Sequence, residues 1–135
     1  MSDDRQTIDE IIARFFRAFD NRNGRIPSLE ELTSLFAPSA IVVRDMGAHC
    51  EHYTVSEFAE PRLRLLSGGE LVEFHEWETE SSTQIIGRIA VRACAYRKQG
   101  ILSAQPYVGS GRKFFQLGRF EMGWRITAVT WSDDA

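Results

Sequence analysis

The sequence predicts a single α+β domain over residues 1–135, in which helices pack on one face of an antiparallel sheet. The first third carries apolar residues at helical spacing, whereas the last third contains two runs suited to strands, 112–122 and 124–132, which meet at Gly123. In the second run aromatic and β-branched residues alternate with polar ones, the period of a strand with two different faces. A long hairpin after a helical segment predicts a curved sheet wrapped over helices, with a hollow for ligands between the layers.

Residues 7–20 are predicted to form the first helix. Apolar residues recur there at i, i+3, i+4 and i+7 and form one broad stripe: Ile8, Ile11, Ile12, Phe15, Phe16 and Phe19. Thr7 and Glu10 resemble a capping box at its start. The turn residues 21–24 are expected to end it.

A short second helix is predicted after Pro27. Ser28 suits the N-cap position, and Glu31 follows three residues later. Its apolar side consists of Leu29, Leu32, Leu35 and Phe36. Pro38 is expected to stop the helix, and residues 40–43 then form a short buried strand.

Residues 45–53 show no period and are interpreted as a loop. The third helix is predicted over 54–66, with Thr54 or Ser56 as its cap. Pro61 is expected either to kink this helix or to restart it. A pair of glycines ends it.

Two further strands and the closing hairpin complete the prediction. Residues 71–79 and 84–97 alternate in polarity, and Gly87 is interpreted as a bulge. Residues 100–111, which include a proline, are interpreted as a loop before the closing hairpin. The last four strands should therefore form an antiparallel meander.

The charge and the hydropathy of the chain argue against two kinds of partner, nucleic acid and membrane. The net charge is −3 and the pI about 5.6, so nucleic acid, which demands a basic stripe, is not an expected partner. No apolar run approaches the length of a membrane span, so no membrane partner is expected. The polar, acidic N-terminus is unlike a signal peptide, and we expect a cytoplasmic protein. Cys50 and Cys94 lack a paired spacing and are expected to be free thiols.

No motif predicts a cofactor, and none is expected. The sequence lacks glycine-rich phosphate loops and the known nucleophile and metalloprotease motifs. The glycines 109 and 111 precede a strand rather than a helix, so they are interpreted as a turn and not as a phosphate cradle.

Three segments together carry a resemblance to a known family: LFAPSAIVV (35–43), GRIAVRACAY (87–96) and FQLGRFEMGWRITAVTWSD (115–133). In this order they resemble the nuclear-transport-factor-2-like superfamily, which includes ketosteroid isomerases and SnoaL-type polyketide cyclases. The resemblance covers nearly the whole chain. It implies a cone-shaped, cystatin-like fold with three N-terminal helices on a strongly curved, four- to six-stranded, mainly antiparallel sheet. Because this superfold hosts enzymes, binding modules and assembly domains, it implies no single function.

The resemblance does not carry the isomerase residues over. Where those enzymes place an acidic base on the first strand, this chain has Arg44, with Asp45 one residue later on the opposite face. Phe15 or Phe16 stands in place of their phenol on the first helix, and Gln116 in place of their protonated acid. Steroid-type isomerisation is therefore not expected.

The last strand and the first helix supply candidates for the cavity wall. The resemblance turns the tryptophan near the end of the last strand into the cavity, and alternation then places Thr127 and Val129 beside Trp131. Phe15 and Phe19 are further candidate ligand-binding residues. The alternative is that Trp131 belongs to the ordinary core.

Two arguments disagree about the central strand. Composition alone would bury Ile89, Val91, Ala93 and Ala95, whereas the resemblance turns inward Ala90, Arg92, Cys94 and Tyr96. We follow the resemblance. Arg92 then needs an anion, because an unpaired buried charge is costly. Glu76 or Glu78 could pair with it structurally; otherwise Arg92 grips a ligand carboxylate or carbonyl.

Residues 45–53 contain three candidates for a catalytic base at the cavity mouth: Asp45, His49 and His52. Histidine titrates near neutrality and suits proton abstraction, although a solvated surface histidine is the alternative. Tyr96, Gln116 and Arg92 would then stabilise negative charge on a ligand oxygen. The H-C-E-H spacing matches no zinc pattern, so no metal site is expected.

The other face of the sheet is also expected to be apolar, with contributions from Phe114 or Phe115, Phe120, Trp77 and Trp124. Such a face suggests a homodimer packed sheet to sheet. Two functions stay open. One is a small enzyme that transfers protons, by isomerisation, cyclisation or dehydration, on a small apolar carbonyl or carboxylate compound. The other is a non-catalytic module that binds a ligand in the same cavity and a partner on the sheet.

Overall fold

The computed structural model describes residues 2–135, in which helices cover the inner face of one six-stranded sheet. The elements are α1 (Ser2–Arg17), a 3-10 turn (Arg22–Gly24), α2 (Leu29–Thr33), β1 (Phe36–Asp45), β2 (Cys50–Thr54), α3 (Val55–Ser67), β3 (Leu71–Ile86), β4 (Ile89–Leu102), β5 (Gln105–Phe120) and β6 (Gly123–Asp133). The spatial order is β2-β1-β6-β5-β4-β3, and all neighbours are antiparallel except β1 and β6. The predicted fold class and the closing meander are confirmed. Within 2–135, no helix combines the length and apolarity needed to cross a membrane.

Helix α1 begins earlier than predicted. It starts at Ser2, so Thr7 and Glu10 lie inside the helix and the predicted capping box is wrong. Asp3 and Asp4 occupy the first turn, where carboxylates interact favourably with the partial positive charge of a helix N-terminus. The predicted apolar stripe is confirmed, since all six of its members are buried.

The caps of the two later helices follow the sequence. The Ser28 hydroxyl accepts a hydrogen bond from the Glu31 N–H at 3.2 Å. At the start of α3, Thr54 is the cap rather than the nearby serine, and it forms a reciprocal capping box with Glu57 at 3.1 and 2.9 Å. Helix α3 continues through Pro61.

Strand β1 begins before the predicted strand. It starts at Phe36 and contains Pro38, so the prediction that this proline ends a helix is wrong. The pairing of β1 with β6 shifts register between Phe36 and Ile41. Proline lacks an N–H and is tolerated in a strand at such an irregularity.

Strand β2 occupies part of the predicted loop 45–53. It pairs antiparallel with β1, with His52 opposite Val43. Most of its side chains are exposed, as expected for an edge strand with solvent near both faces. The sequence shows no alternation there because neither face is buried.

Three strands of the meander are longer than predicted, whereas β4 has the predicted length but lies five residues further along the chain. Gly87, with φ +57°, lies in the turn between β3 and β4, so the predicted bulge is wrong. Strands β4 and β5 join at Ser103 and Ala104, whose φ values are 49° and 67°. A two-residue turn with positive φ at both positions normally selects asparagine or glycine. That signal is missing, so the interpretation of 100–111 as a loop is also wrong.

The face of β4 that points inward is the one that the family resemblance implied, and not the one that its apolar composition favoured. Arg92, Cys94 and Tyr96 are buried on the inner face, whereas Ile89 is 64% exposed and Val91 47% exposed on the outer face. Both cysteines are free.

Asn21, predicted as a turn residue, is a buried connection between elements. Its amide nitrogen donates to the carbonyl oxygens of Leu66 and Leu71 at 2.8 and 2.7 Å. Its side-chain oxygen accepts from the Phe74 N–H at 2.8 Å. One side chain thus joins the end of α1, the end of α3 and the start of β3.

Candidate functional site

A small chamber lies between the helices and the inner face of the sheet. Its volume is about 60 Å³, enough for a few water molecules or a small organic molecule. We call it the inner chamber. Its apolar and aromatic lining consists of Phe15, Phe19, Phe58, Leu65, Leu66, Leu71, Phe74, Tyr96, Tyr107 and Trp131. Its charged lining consists of Arg62, Glu76, Lys98, Lys113 and Asp133.

Aromatic rings pack edge to face around this space. The centroids of Phe15 and Phe19 are 5.3 Å apart, and those of Phe58 and Trp131 are 5.4 Å apart. Such walls hold their shape through packing and suit the apolar part of a ligand.

Lys113 projects from β5 into the chamber on the same face as the buried Phe115. Its side chain is only 7% exposed. The ammonium nitrogen lies 4.1 Å from the Tyr96 ring centroid and 4.8 Å from that of Trp131. Its nearest charged partner, Glu76 Oε2, is 3.6 Å away. Burial lowers the pKa of Lys113 in spite of the Glu76 carboxylate.

Asp133, at the end of β6, is the second carboxylate of the chamber. The Tyr96 hydroxyl donates a hydrogen bond to it, and Lys98 Nζ and Arg44 Nη2 lie 3.6 and 3.4 Å from its oxygens. Burial raises the pKa of Asp133, but this hydrogen bond and the nearby cations outweigh burial and bring it below the ordinary value. Burial, followed by the hydrogen bond to Asp133, raises the pKa of Tyr96, so its phenol stays protonated.

Arg62 of α3 makes cation–π contacts with two aromatic rings. Its guanidinium lies 5.1 Å from the ring centroids of both Phe58 and Trp131. Among residues 2–135, no carboxylate lies within 4 Å of it, by contrast with Lys98 and Lys113. The lining carries one excess positive charge, because three cations face two carboxylates: Arg62, Lys98 and Lys113 against Glu76 and Asp133.

Two glycines of β5 make room for these groups. A Cβ atom at Gly109 would come within 2.7 Å of Lys98 Cε, and one at Gly111 would collide with the Tyr96 hydroxyl. Both glycines lie inside the strand, so their interpretation as a turn is wrong. They let the polar ends of two side chains pass close to the backbone.

The inner chamber is lined by five of the sequence-predicted ligand-binding residues: Phe15, Phe19, Glu76, Tyr96 and Trp131. Val129 is buried on the same face of β6 but belongs to the surrounding core. The assignment of Thr127 to the wall needs correction. The pairing of β5 with β6 shifts register beside it, which turns Ile126 inward and leaves Thr127 in a hollow on the outer face.

The ligand-gripping role of Arg92 also needs correction, because its guanidinium is already satisfied. Glu78 accepts two hydrogen bonds from it, at 3.0 and 2.6 Å, and Asp9 and Thr83 accept others. Arg92 is buried but does not line the inner chamber. The structural alternative is correct, with Glu78 rather than Glu76 as its partner.

The three candidate bases and Gln116, which was predicted to stabilise negative charge on the ligand, lie outside the inner chamber. Asp45, His49 and His52 are exposed and do not line the inner chamber, and Asp45 instead accepts hydrogen bonds from Ser132 and the backbone of residue 47. His49 lies 3.5 Å from Glu51. Gln116 faces outward from β5. The prediction that these four residues border the cavity is therefore wrong.

Sequence reasoning missed four charged residues of the lining: Arg62, Lys98, Lys113 and Asp133. The signal for Lys113 was present, since it alternates with the inward Phe115 and Leu117 along β5. No comparable signal marked Arg62, because a helical arginine beside an apolar stripe usually extends to solvent.

Solved structures with this architecture are similar to the chain along almost its whole length. A nuclear transport factor 2 (NTF2-like) superfamily protein from Salmonella enterica is 20% identical with a TM-score of 0.79, over 99% of this chain and 93% of that one. An NTF2-like protein with a cystatin-like fold from Novosphingobium aromaticivorans is 17% identical with a TM-score of 0.75, over 97% and 82% of the two chains. The association domain of CaMKII from C. elegans is 15% identical with a TM-score of 0.73, over 95% and 94%.

At these identities the similarity establishes the fold. The chain has the cystatin-like fold of NTF2-like proteins, as the sequence resemblance implied. No protein-family model matches the chain, and no curated protein matches it in sequence. A shared fold does not imply a shared function, so the residues of the inner chamber are the guide to what this protein does.

Proposed function

We propose that this protein binds a small carboxylate-bearing carbonyl compound in the inner chamber. The observation that carries the proposal is Arg62, a chamber cation with no carboxylate of the described chain within 4 Å of it. A guanidinium in a partly dry site binds a carboxylate through two parallel hydrogen bonds. The excess positive charge of the lining favours the same class of ligand.

The aromatic lining defines the rest of the ligand. Phe58 and Trp131 lie beneath the guanidinium, so an apolar group attached to the carboxylate would pack against their rings. The volume of about 60 Å³ limits this group to a few heavy atoms. If the protein is an enzyme, Glu76 and Lys113 are the titratable groups that could move a proton.

Titration calorimetry with pyruvate tests the proposal. Pyruvate should bind, and its uncharged amide should bind more weakly. Arg62→Gln should weaken pyruvate binding about tenfold or more, since a hydrogen bond to a charged group contributes about 1.5 to 3 kcal/mol. Arg64→Gln is the matched control, because Arg64 lies on the same helix but is exposed. Equal affinities of wild type and Arg62→Gln would contradict the proposal.

A second candidate function is assembly through the outer sheet face. That face exposes large apolar residues on adjacent strands, and four of them are Ile89, Val91, Phe114 and Phe120. Part of it forms an open hollow of about 520 Å³. The similarity to an association domain supports this candidate, and a homodimer packed sheet to sheet would cover these residues.

A further inference from the structure

The chain uses lysine sparingly, and both of its lysines line the inner chamber. The sequence contains two lysines and fourteen arginines. Only one of the arginines, Arg62, lines the same space. Arginine supplies a permanent charge, whereas lysine supplies an amine that can lose its proton and act as a nucleophile. Both lysine side-chain amines of this chain therefore lie in the inner chamber.

Lys113 has the surroundings that favour such a nucleophile. Its side chain is only 7% exposed, and its carboxylate partner lies beyond hydrogen-bond distance at 3.6 Å, so burial disfavours the charged form. That partner oxygen, Glu76 Oε2, is buried and accepts no hydrogen bond within the described chain. A buried carboxylate oxygen without a donor, next to a buried amine, is arranged to take and return a proton.

We propose that Lys113 forms an imine with the carbonyl carbon of a small oxo acid bound in the inner chamber. This inference rests on the proposed function, in which Arg62 holds the carboxylate of the same ligand.

Imine formation requires only the Lys113 amine, the ligand carbonyl group and Glu76 as the proton carrier. Glu76 takes one proton from the Lys113 ammonium, and the neutral amine adds to the carbonyl carbon. A C–N bond forms while the C=O π bond breaks and its electron pair moves to the oxygen. The nitrogen passes a proton to the former carbonyl oxygen and gives a carbinolamine. Glu76 then returns its proton to the hydroxyl, which leaves as water while the nitrogen lone pair completes the C=N bond. Ammonium and carbonyl become iminium and water, so the positive charge is kept.

An iminium on Lys113 would also make the bound oxo acid easier to deprotonate. It withdraws electrons from the neighbouring carbon, so that a C–H bond there loses its proton more readily than in the free ketone. Glu76 is the carboxylate placed nearest to Lys113 to accept that proton.

Reductive trapping tests the inference. The folded protein is incubated with pyruvate and sodium cyanoborohydride, and the adduct is located by intact mass and peptide mapping. One reduced pyruvate adduct is expected on Lys113. It should form faster than on the same lysine in urea-unfolded chain, because burial lowers the pKa of Lys113 and so raises its fraction of neutral amine. Arg112→Gln is the matched control, because it changes the exposed neighbour of Lys113 on β5, and it should keep the adduct, whereas Lys113→Arg should lose it.

Pyruvate and lactate titrations without reductant separate the two proposals. Lactate carries the carboxylate but no carbonyl group. If both bind and Lys113 is not trapped, or if only Lys98 is trapped, the imine is refuted while the proposed function stands. If neither binds, both fail. Mapping of the wild-type adduct gives the answer even where Lys113→Arg fails to fold.

Discussion

Asp133 links most of the charged groups around the inner chamber. It accepts the Tyr96 hydrogen bond on one oxygen, and three cations lie nearby, two of them within 4 Å. At 27% exposure its side chain is only partly screened by water. These contacts favour its ionised form in the folded state, so the pKa of Asp133 lies below its ordinary value of 3.8.

This shift predicts how stability depends on pH. A carboxyl group with a lowered folded-state pKa stabilises the fold fully above its unfolded-state value. That contribution is lost as the pH falls from about 3.8 through the folded-state pKa. Asp133→Asn should therefore lower the free energy of unfolding by about 2 kcal/mol at neutral pH, and the difference from wild type should shrink below pH 3.8.

Urea unfolding followed by circular dichroism across this pH range provides the measurement. Asp134→Asn is the control, because Asp134 is the exposed neighbour and bonds only to Ser110 among the described side chains. A difference between Asp133→Asn and wild type that stays constant down to low pH would contradict the assignment.

At the scale of elements, Asn21 determines how two helix ends meet the sheet. It satisfies two carbonyl groups and one N–H group from α3 and β3 in a buried place. Backbone groups between elements need partners when water is absent. The junction positions α3, which carries Phe58 and Arg62 to the inner chamber.

Asn21→Asp should destabilise the protein by about 3 kcal/mol, since it removes two donors and brings a carboxylate against two carbonyl oxygens. Chemical denaturation measures the loss. Asn23→Asp makes the same change at an exposed position, and aspartate tolerates the left-handed backbone there, so its effect should be small. Equal losses for the two variants would show that the Asn21 connections do not stabilise the junction.

At the scale of the molecule, both faces of the sheet carry apolar residues, but the helices cover only one face. Phe115 and Trp124, predicted as possible members of the outer face, belong to the core, whereas Phe114 and Phe120 are 56% and 44% exposed. Trp77 is half-buried and stacks on His75. The exposed residues extend across adjacent strands, which is the form of a surface that a second copy can cover.

Light scattering after size-exclusion chromatography should therefore report a dimer. Phe114→Lys should raise its dissociation constant about tenfold or more, because buried aromatic residues dominate interface energies. Ile26→Lys changes an even more exposed apolar residue away from the sheet and should leave the dimer intact. A monomeric wild type, or a dimer that both variants leave unchanged, would contradict assembly through this face.

Much of the fold was predictable because the signals were local. The α1 stripe, the caps at Ser28 and Thr54, and the alternation along β6 each depend on neighbours within a few residues. The predictions were wrong where the usual turn residues are missing or where strand pairing overrides the simple alternation of faces. The Ser103-Ala104 turn lacks its usual residues, and the alternation along β6 is broken beside Thr127 by a shift in pairing.

Local patterns predicted three helices, the meander, and the aromatic residues that enclose a space. The charged groups that share this space could not be predicted, because packing and strand register bring them together. Arg62 and Lys113 are 51 positions apart in the sequence, yet both extend toward Trp131. The charge of a buried group is tolerated only where partners from distant strands and helices surround it, and such partners are chosen by packing and register.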